Sequence, residues 1–354
     1  MSAVLGAAPA AAPSAPARGR GVWAAAWGRL RQDRVGMAAL AVVLAFLVLV
    51  VLAAAHVVAS GWQDERAVPS APPTFIGPAP PPAAAAGGIP VPTGPPVDIS
   101  DVDPLAPRYA EWAALAERYR TVEKPKAQTL AFGADRLGRD VLSKTVKATQ
   151  TSVFVGVLAA LVATAIGTVL GALAGFFGRW VNDFLEWLYS VFTAIPDILL
   201  ILSFAVIFGR GIGSVALILA FVGWTGVYRQ VRAEFMKHAT REYVRSAEAI
   251  GASAASRMFR HILPNVSHVI LVRMSLLVVG FIKFEVILSY LGLGVGVDDV
   301  SWGTMLAEAQ SELVLGYWWQ LAAATAFMAV FVTAFSLMTD ALRDALDPRL
   351  RGLG

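Results

Sequence analysis

The 354-residue chain contains no cysteine, which excludes a disulfide framework and any thiolate metal site. Only four histidines are present, His56, His238, His261 and His268. No two of them stand at the i, i+4 spacing of a metalloprotease helix. Charge is also scarce: Asp, Glu, Lys and Arg make up 15% of the residues, against about 25% in globular domains. The net charge of +4 is too small to argue for nucleic-acid binding on charge alone. No Gly-x-x-x-x-Gly-Lys-Ser/Thr occurs, so the chain lacks the loop whose backbone N–H groups cradle ATP phosphates. Nor is there a nucleophile, base and orienting group to support a membrane enzyme. What is abundant is apolar side chain, 57% of the total. That excludes disorder for most of the chain, and the surplus is expected to face lipid.

A bilayer core about 30 Å thick needs about 20 apolar residues in a helix. Six runs qualify: Gly36–Ser60, Thr151–Gly178, Trp187–Gly209, Gly211–Tyr228, Val266–Val297 and Tyr317–Thr339. The expected fold is therefore an all-α membrane protein with six transmembrane helices. The first run is too long and starts too far in to be a signal peptide, whose apolar region spans about 7–15 residues, so it is read as a retained anchor. Orientation follows from Lys and Arg. Arg18 to Arg34, Arg179, seven bases between Arg229 and Arg260, and Arg343, Arg349 and Arg351 fall in segments that share one side and outnumber the acids there. The other bases are diluted in one long loop, which the positive-inside rule discounts. Both termini are thus expected in the cytoplasm.

These spans divide the chain into a cytoplasmic tail, 1–35, a first span, 36–60, an extracytoplasmic loop, 61–150, and a core, 151–354. The Ala/Pro-rich residues 1–20 read as a mobile tail. The segment 69–96, rich in Pro-Pro and Gly-Gly pairs, reads as an extended linker. Residues 107–120 show helical spacing and are expected to form one short helix against the outer face. Gly167, Gly171 and Gly175 recur every four residues, a stripe that lets another backbone approach closely in lipid, and packing within this subunit is favoured over a dimer seam. Gly209 to Gly213 reads as the turn between the third and fourth spans.

The fourth and fifth spans are separated by far more chain than a tight connection requires. Tyr243, Val244, Ala247 and Ile250 follow an amphipathic helical spacing, with Arg241, Arg245 and Glu248 pointing elsewhere. Gly251 suits a helix end and Ser253 can cap a second helix carrying Met258, Phe259 and Ile262. Pro264 is expected to hold Leu263 extended and to sit in the first turn of the fifth span. A helix, turn and helix at the inner surface result.

Ionisable residues inside spans are costly and are by default functional candidates. Asp197 follows the break expected at Pro196, about 15 Å into the third span. It either faces a hydrated pathway or pairs with Arg273 or Lys283. Lys283 and Glu285 lie near the outer end of the fifth span, where both are expected to snorkel to the interface. Arg139-Asp140, in the exported loop, either meets another protein or clamps the mouth of the bundle.

The spacing Arg245-Ser246-Ala247, Gly251, His261, Leu263-Pro264 resembles the EAA loop of permease subunits in binding-protein-dependent ABC importers. Phe132 to Ser143 (FGADRLGRDVLS), Ile195-Pro196, Leu288 to Gly294 (LSYLGLG), Ser301-Trp302-Gly303 and Leu342 to Arg349 (LRDALDPR) are similar to blocks of the dipeptide/oligopeptide/nickel group, the DppC/OppC type. The loop opens with Arg-Ser in place of Glu-Ala and has His261 at an apolar position, while spacing is kept. The Pro-rich insert is longer than the group usually carries.

The resemblance implies a bacterial inner-membrane permease that moves peptides or similar small solutes inward by alternating access. It implies a second permease of the DppB/OppB type, two ATP-binding subunits carrying ATP and Mg2+, and an extracytoplasmic solute-binding protein. This chain would hold no cofactor and no metal. Coupling to the ATPase would fall to Tyr243, Val244, Arg245, Ser246, Ala247, Ile250, Gly251, His261, Leu263 and Pro264, in a loop spanning 241–265. Pro196, Asp197 and Glu285 are the candidates for the pathway, Glu285 matching the group's acid before Leu-Gly-Leu-Gly. The reading from another class is a membrane channel or scaffold that needs no ATPase.

Overall fold

A computed structural model describes residues 22–78, 102–118 and 125–346. The expected tail 1–20, most of the Pro-rich linker and the last part of the Leu342–Arg349 block lie outside the described residues.

The fold is built from helices; among the described residues extended backbone occurs only as isolated bridges. Helix α1 is Val22–Leu30 and α2 Arg34–Ala54. Asp33 caps α2, its Oδ1 accepting from the Val35 N–H at 3.0 Å. At 1.5 Å per residue the 21 residues of α2 cover about 31 Å, one bilayer core. A 3-10 turn, Ala106–Arg108, leads into α3, Tyr109–Arg118. The helix expected near 107–120 is present, but no residue of it is buried, so it is not laid against the outer face.

Helix α4, Val141–Phe177, has 37 residues, about 55 Å at the same rise, and its first turns stand beyond the apolar run. The third run is two helices, α5 (Arg179–Thr193) and α6 (Asp197–Phe208), bent by 82°. The break expected at Pro196 is present, and the helix before it begins at Arg179, eight residues ahead of the run read as Trp187–Gly209. Pro196 has no N–H to continue the ladder, and its ring crowds the preceding turn. Helix α7 is Ile212–Ala239, α8 Glu242–Ala249 and α9 Ala254–Ser256. A π-helical turn, Arg257–Ile262, runs directly into α10, Leu263–Tyr290. Helices α11, Trp302–Val314, and α12, Trp319–Leu346, complete the order. The turn Gly209–Gly213 joins α6 to α7 as expected, with Gly209 at φ +74°.

Helices α2, α4, α7 and α12 are each long and apolar enough to cross a membrane, and α5 with α6 makes a fifth crossing if the bent pair is one span. Helix α10 has the length but carries Arg273, Lys283 and Glu285.

The centre of the bundle is the α4–α7 pair, the most extensive contact in the fold. The glycine stripe explains it. A Cβ at Gly167 would stand 2.6 Å from the Trp224 carbonyl oxygen, at Gly171 2.7 Å from that of Tyr228, and at Gly175 2.6 Å from that of Arg232. The stripe therefore serves packing within the chain, as the sequence favoured. Helix α10 packs on α4, and α12 on α2. Nη1 of Arg29 donates to the Ala345 carbonyl at 3.1 Å, so both described chain ends meet at one end of the bundle.

Candidate functional site

The segment between α7 and α10 is a folded elbow. Val244 and Ala247 turn inward, and Val244 joins Val231, Phe235, Met258, Ile262 and Val266 in one buried cluster. Helix α8 ends in a Schellman-type closure: the Gly251 N–H donates to Glu248 O at 2.9 Å and the Ala252 N–H to Ala247 O at 2.9 Å. That closure needs the left-handed backbone of Gly251, at φ +86°. Oγ of Ser253 accepts from the Ser256 N–H at 3.2 Å, the cap the sequence anticipated. Glu248 then meets Arg257 at 2.5 Å. The Arg257 guanidinium lies over the Phe176 ring, 5.3 Å from its centre, tying the elbow to α4. Tyr243 Oη pairs with His238 Nδ1 at 2.8 Å, tying it to α7.

Pro264 behaves differently from its expected role. Leu263 is helical, at φ −53° and ψ −43°, not extended, and the chain passes from the π turn into α10 without a break. In the widened turn the Leu263 N–H bonds to Met258 O, five residues back. The extra residue makes room for a proline that lacks an N–H and would crowd an ordinary helical turn. The His261 carbonyl instead accepts from Asn265 Nδ2 at 2.7 Å.

The outer surface of the elbow is partly apolar. Ile250 is 87% exposed and Phe259 59%. Tyr243 and Met236 are exposed with them, as are Arg245, Ser246 and Gly251. The stripe read from Tyr243, Val244, Ala247 and Ile250 is thus divided, with Val244 and Ala247 inside and Tyr243 and Ile250 outside.

Asp197 is the first residue of α6, directly after the break at Pro196, and it is exposed. It forms no ion pair with Arg273 or Lys283. Glu285 lies apart from it and does not reach the interface, which corrects the snorkelling expectation. Its side chain is fully buried, with Oε1 accepting from Ser289 Oγ at 2.6 Å and Ser152 and Ser301 beside the carboxyl. The burial arises because α11 closes over this face. The Trp302 N–H donates to Ser152 Oγ at 3.2 Å, and a Cβ at Gly303 would stand 2.4 Å from the Val286 carbonyl oxygen. Lys283, on another face of α10, is exposed.

At the opposite end from the elbow is a network that the sequence did not reveal. Nζ of Lys144, wholly buried, donates to Asp135 Oδ2 at 2.7 Å, to Glu308 Oε2 and to Gln320 Oε1 at 3.3 Å. Arg139 Nε donates to Asp135 Oδ2 at 2.7 Å. The Arg136 N–H donates to Glu312 Oε1 at 3.0 Å, and Trp319 Nε1 to Ala134 O at 2.6 Å. Burial pushes the Asp135 carboxyl up, but Lys144 and Arg139 outweigh it and hold the group below the usual range. Burial pushes Glu312 up. Arg139-Asp140 is thereby a clamp: Arg139 binds α11 through Asp135 and Glu308, and Asp140 caps α4 by accepting from the Leu142 and Ser143 N–H groups at 3.2 Å. The sequence offered the clamp as one reading of Arg139-Asp140 and gave no sign of the network's partners on α11 and α12. The partner of Lys144 and Arg139 on α11, Glu308, is 160 or more residues away in sequence.

Residues 167–352, from the middle of α4 through α12, match the family described as binding-protein-dependent transport system inner membrane component. The chain belongs to this family. It is 33% identical over 247 residues to the oligopeptide transport system permease protein OppC of Bacillus subtilis, covering 70% of this chain and 81% of that protein. It is 36% identical over 220 residues to the dipeptide transport system permease protein DppC of the same organism, 62% of this chain and 69% of the relative. With OppC of Mycobacterium bovis it shares 34% over 227 residues, 63% and 77% respectively. The permease is thus of the DppC/OppC type, a subunit of a binding-protein-dependent ABC importer, and the matched region contains the elbow, the α5–α6 break and Glu285.

Proposed function

We propose that this permease carries peptides or similar small solutes inward, and that the elbow around α8 receives the motion of a partner ATPase. The observation that carries the coupling role is the contrast within α8. Val244 and Ala247 are buried, Val244 in a cluster with residues of α4, α7 and α10, while Ile250 and its neighbours offer an apolar surface that this chain leaves uncovered. Tyr243, Arg245, Ser246, Ile250 and Gly251 form the contact face. Val244, Ala247, His261, Leu263 and Pro264 make it rigid. A push on such a body displaces α7 and α10 together, a shift between two packed arrangements.

In this reading α2, α4, the bent α5–α6 pair, α7, α10 and α12 are six crossings, and both chain ends lie with the elbow in the cytoplasm. Residues 1–35 precede the first crossing, 61–150 are extracytoplasmic, and 151–354 form the permease core. The assembly comprises a second permease of the DppB/OppB type, two ATP-binding subunits holding ATP and Mg2+, and an extracytoplasmic binding protein, in a bacterial cytoplasmic membrane. Pro196 and Asp197, exposed at the break, line the pathway. Glu285 supports its wall from within the chain. An uptake assay on Asp197→Asn is expected to show a changed rate or affinity, and unchanged transport removes it from the pathway.

The test of coupling is Ile250→Asp in the assembled importer. Because Ile250 is exposed, the variant is expected to insert normally and to lose substrate-stimulated ATPase activity. Full stimulation in the variant contradicts the docking role. A channel or scaffold working alone predicts no ATP-binding subunit in the purified complex.

A further inference from the structure

Close to the elbow, between α7, α10 and α12, lies a cavity of about 310 Å³. Its polar lining is Gln230, His268, Arg273 and Arg343, and no carboxylate lines it. Arg229 places a further positive charge beside Arg273. Among the described residues no acid lies within ion-pair distance of Arg229, His268, Arg273 or Arg343. Other buried or half-buried bases are paired with carboxylates: Lys144 with Asp135, Arg139 with Asp135, Arg232 with Glu186 at 3.3 Å and Arg257 with Glu248.

The site is built rather than incidental. A Cβ at Gly226 would stand 2.2 Å from Nη2 of Arg273, so α7 gives up a side chain to let the guanidinium lie against its backbone. Nε of Arg273 is buried and has no partner, and a buried donor left unsatisfied is costly. A planar guanidinium held in this way presents a fork suited to two oxygens of a phosphate.

Position and the rest of the lining decide the source of that phosphate. Arg229 follows the last residue of the apolar run Gly211–Tyr228. Arg273 is ten residues into α10, about 15 Å from its start, on the part of that helix packed beside α7. The Arg273 guanidinium lies against Gly226, two residues before the end of that run, so these bases cluster where the apolar stretch of α7 ends. Val272 and Leu276 form the apolar side of the same cavity, and Leu276 is exposed, so a ligand held here has a charged end and an apolar end.

We propose that this cavity binds the phosphodiester headgroup of an anionic membrane lipid, with its acyl chains along Leu276. Basic pockets between helices near the cytoplasmic face recognise such headgroups by this combination of charge and adjacent apolar wall. A lipid there joins α7 and α10, which the elbow moves, to α12.

The full-length permease in its assembled complex, reconstituted with mixed phosphatidylglycerol and phosphatidylcholine and then delipidated, tests this by native mass spectrometry. The wild type is expected to retain phosphatidylglycerol over phosphatidylcholine by about tenfold, a difference of about 1.4 kcal/mol. Millimolar inorganic phosphate is expected not to displace it. Arg273→Gln and Arg343→Gln are expected to lose the preference. Arg343 is exposed, so its replacement leaves the core intact, and Lys283→Gln, on the same helix as Arg273, is expected to retain the preference. Equal retention of both lipids, an unaltered preference in Arg343→Gln, or displacement by inorganic phosphate alone overturns the proposal.

Discussion

At the scale of the residue, the outer network shows how one buried lysine sets the protonation of its neighbours. Lys144 and Arg139 favour the ionised Asp135, so that carboxyl contributes stability above its unfolded-state value and loses it as pH falls through its lowered folded value. Glu312 has the opposite sign. Burial favours its neutral form, so its stabilising contribution is present below the unfolded value and is lost as pH rises through the raised folded value. Glu312→Gln keeps an oxygen to accept the Arg136 N–H and removes the charge. The variant is expected to lose less thermal stability than wild type between mildly acidic and neutral pH, as read by Tm across that range. Parallel Tm profiles for the two proteins contradict this account of Glu312. Beyond the clamp at Arg139-Asp140, the network was not legible in sequence, because Asp135 and Lys144 lie just before and at the start of α4 while Glu308, Glu312 and Gln320 come from helices closed over them only in the fold.

At the scale of the element, most helices followed from apolar period and caps, and the departures have local causes. The glycines at 167, 171 and 175 could be read because a four-residue spacing maps onto one helical stripe. The partner helix α7 could not be read, since nothing in its sequence marks the carbonyls that meet the stripe. Gly171→Val places branched carbon against the Tyr228 carbonyl, and overpacking of this kind costs about 1–3 kcal/mol. Thermal unfolding of the purified permease is expected to shift down accordingly, and a variant as stable as wild type would show that α4 and α7 have more room than the 2.7 Å from a Cβ at Gly171 to the Tyr228 carbonyl oxygen allows. The two prolines had different outcomes. The break expected at Pro196 is present, its missing hydrogen bond letting α5 and α6 bend by 82°. Pro264 was expected to interrupt the helix, but a π turn absorbs it. Helix α11 begins at the Ser301–Thr304 capping box and is what encloses Glu285; in sequence only its first residues, Ser301-Trp302-Gly303, stood out.

At the scale of the whole molecule, the helices form two working ends. One end is fixed by the ion network that joins α4, α11 and α12. The other gathers the described chain ends, the basic cavity and the elbow, whose inner face is packed and whose outer face is open. Membership in the importer family makes this second end the place where an ATP-driven partner is expected to act, and Ile250 is the most exposed apolar side chain on α8 and its cap. Since the natural chain has no cysteine, Ile250→Cys gives a single reactive thiol. In cells expressing the assembled importer, site-directed cross-linking from this thiol is the most direct measurement. The account predicts a cross-link to an ATP-binding subunit, with labelling by a membrane-impermeant maleimide only after the cells are opened. Labelling in intact cells, or a thiol that reaches no other polypeptide in an active importer, would contradict it.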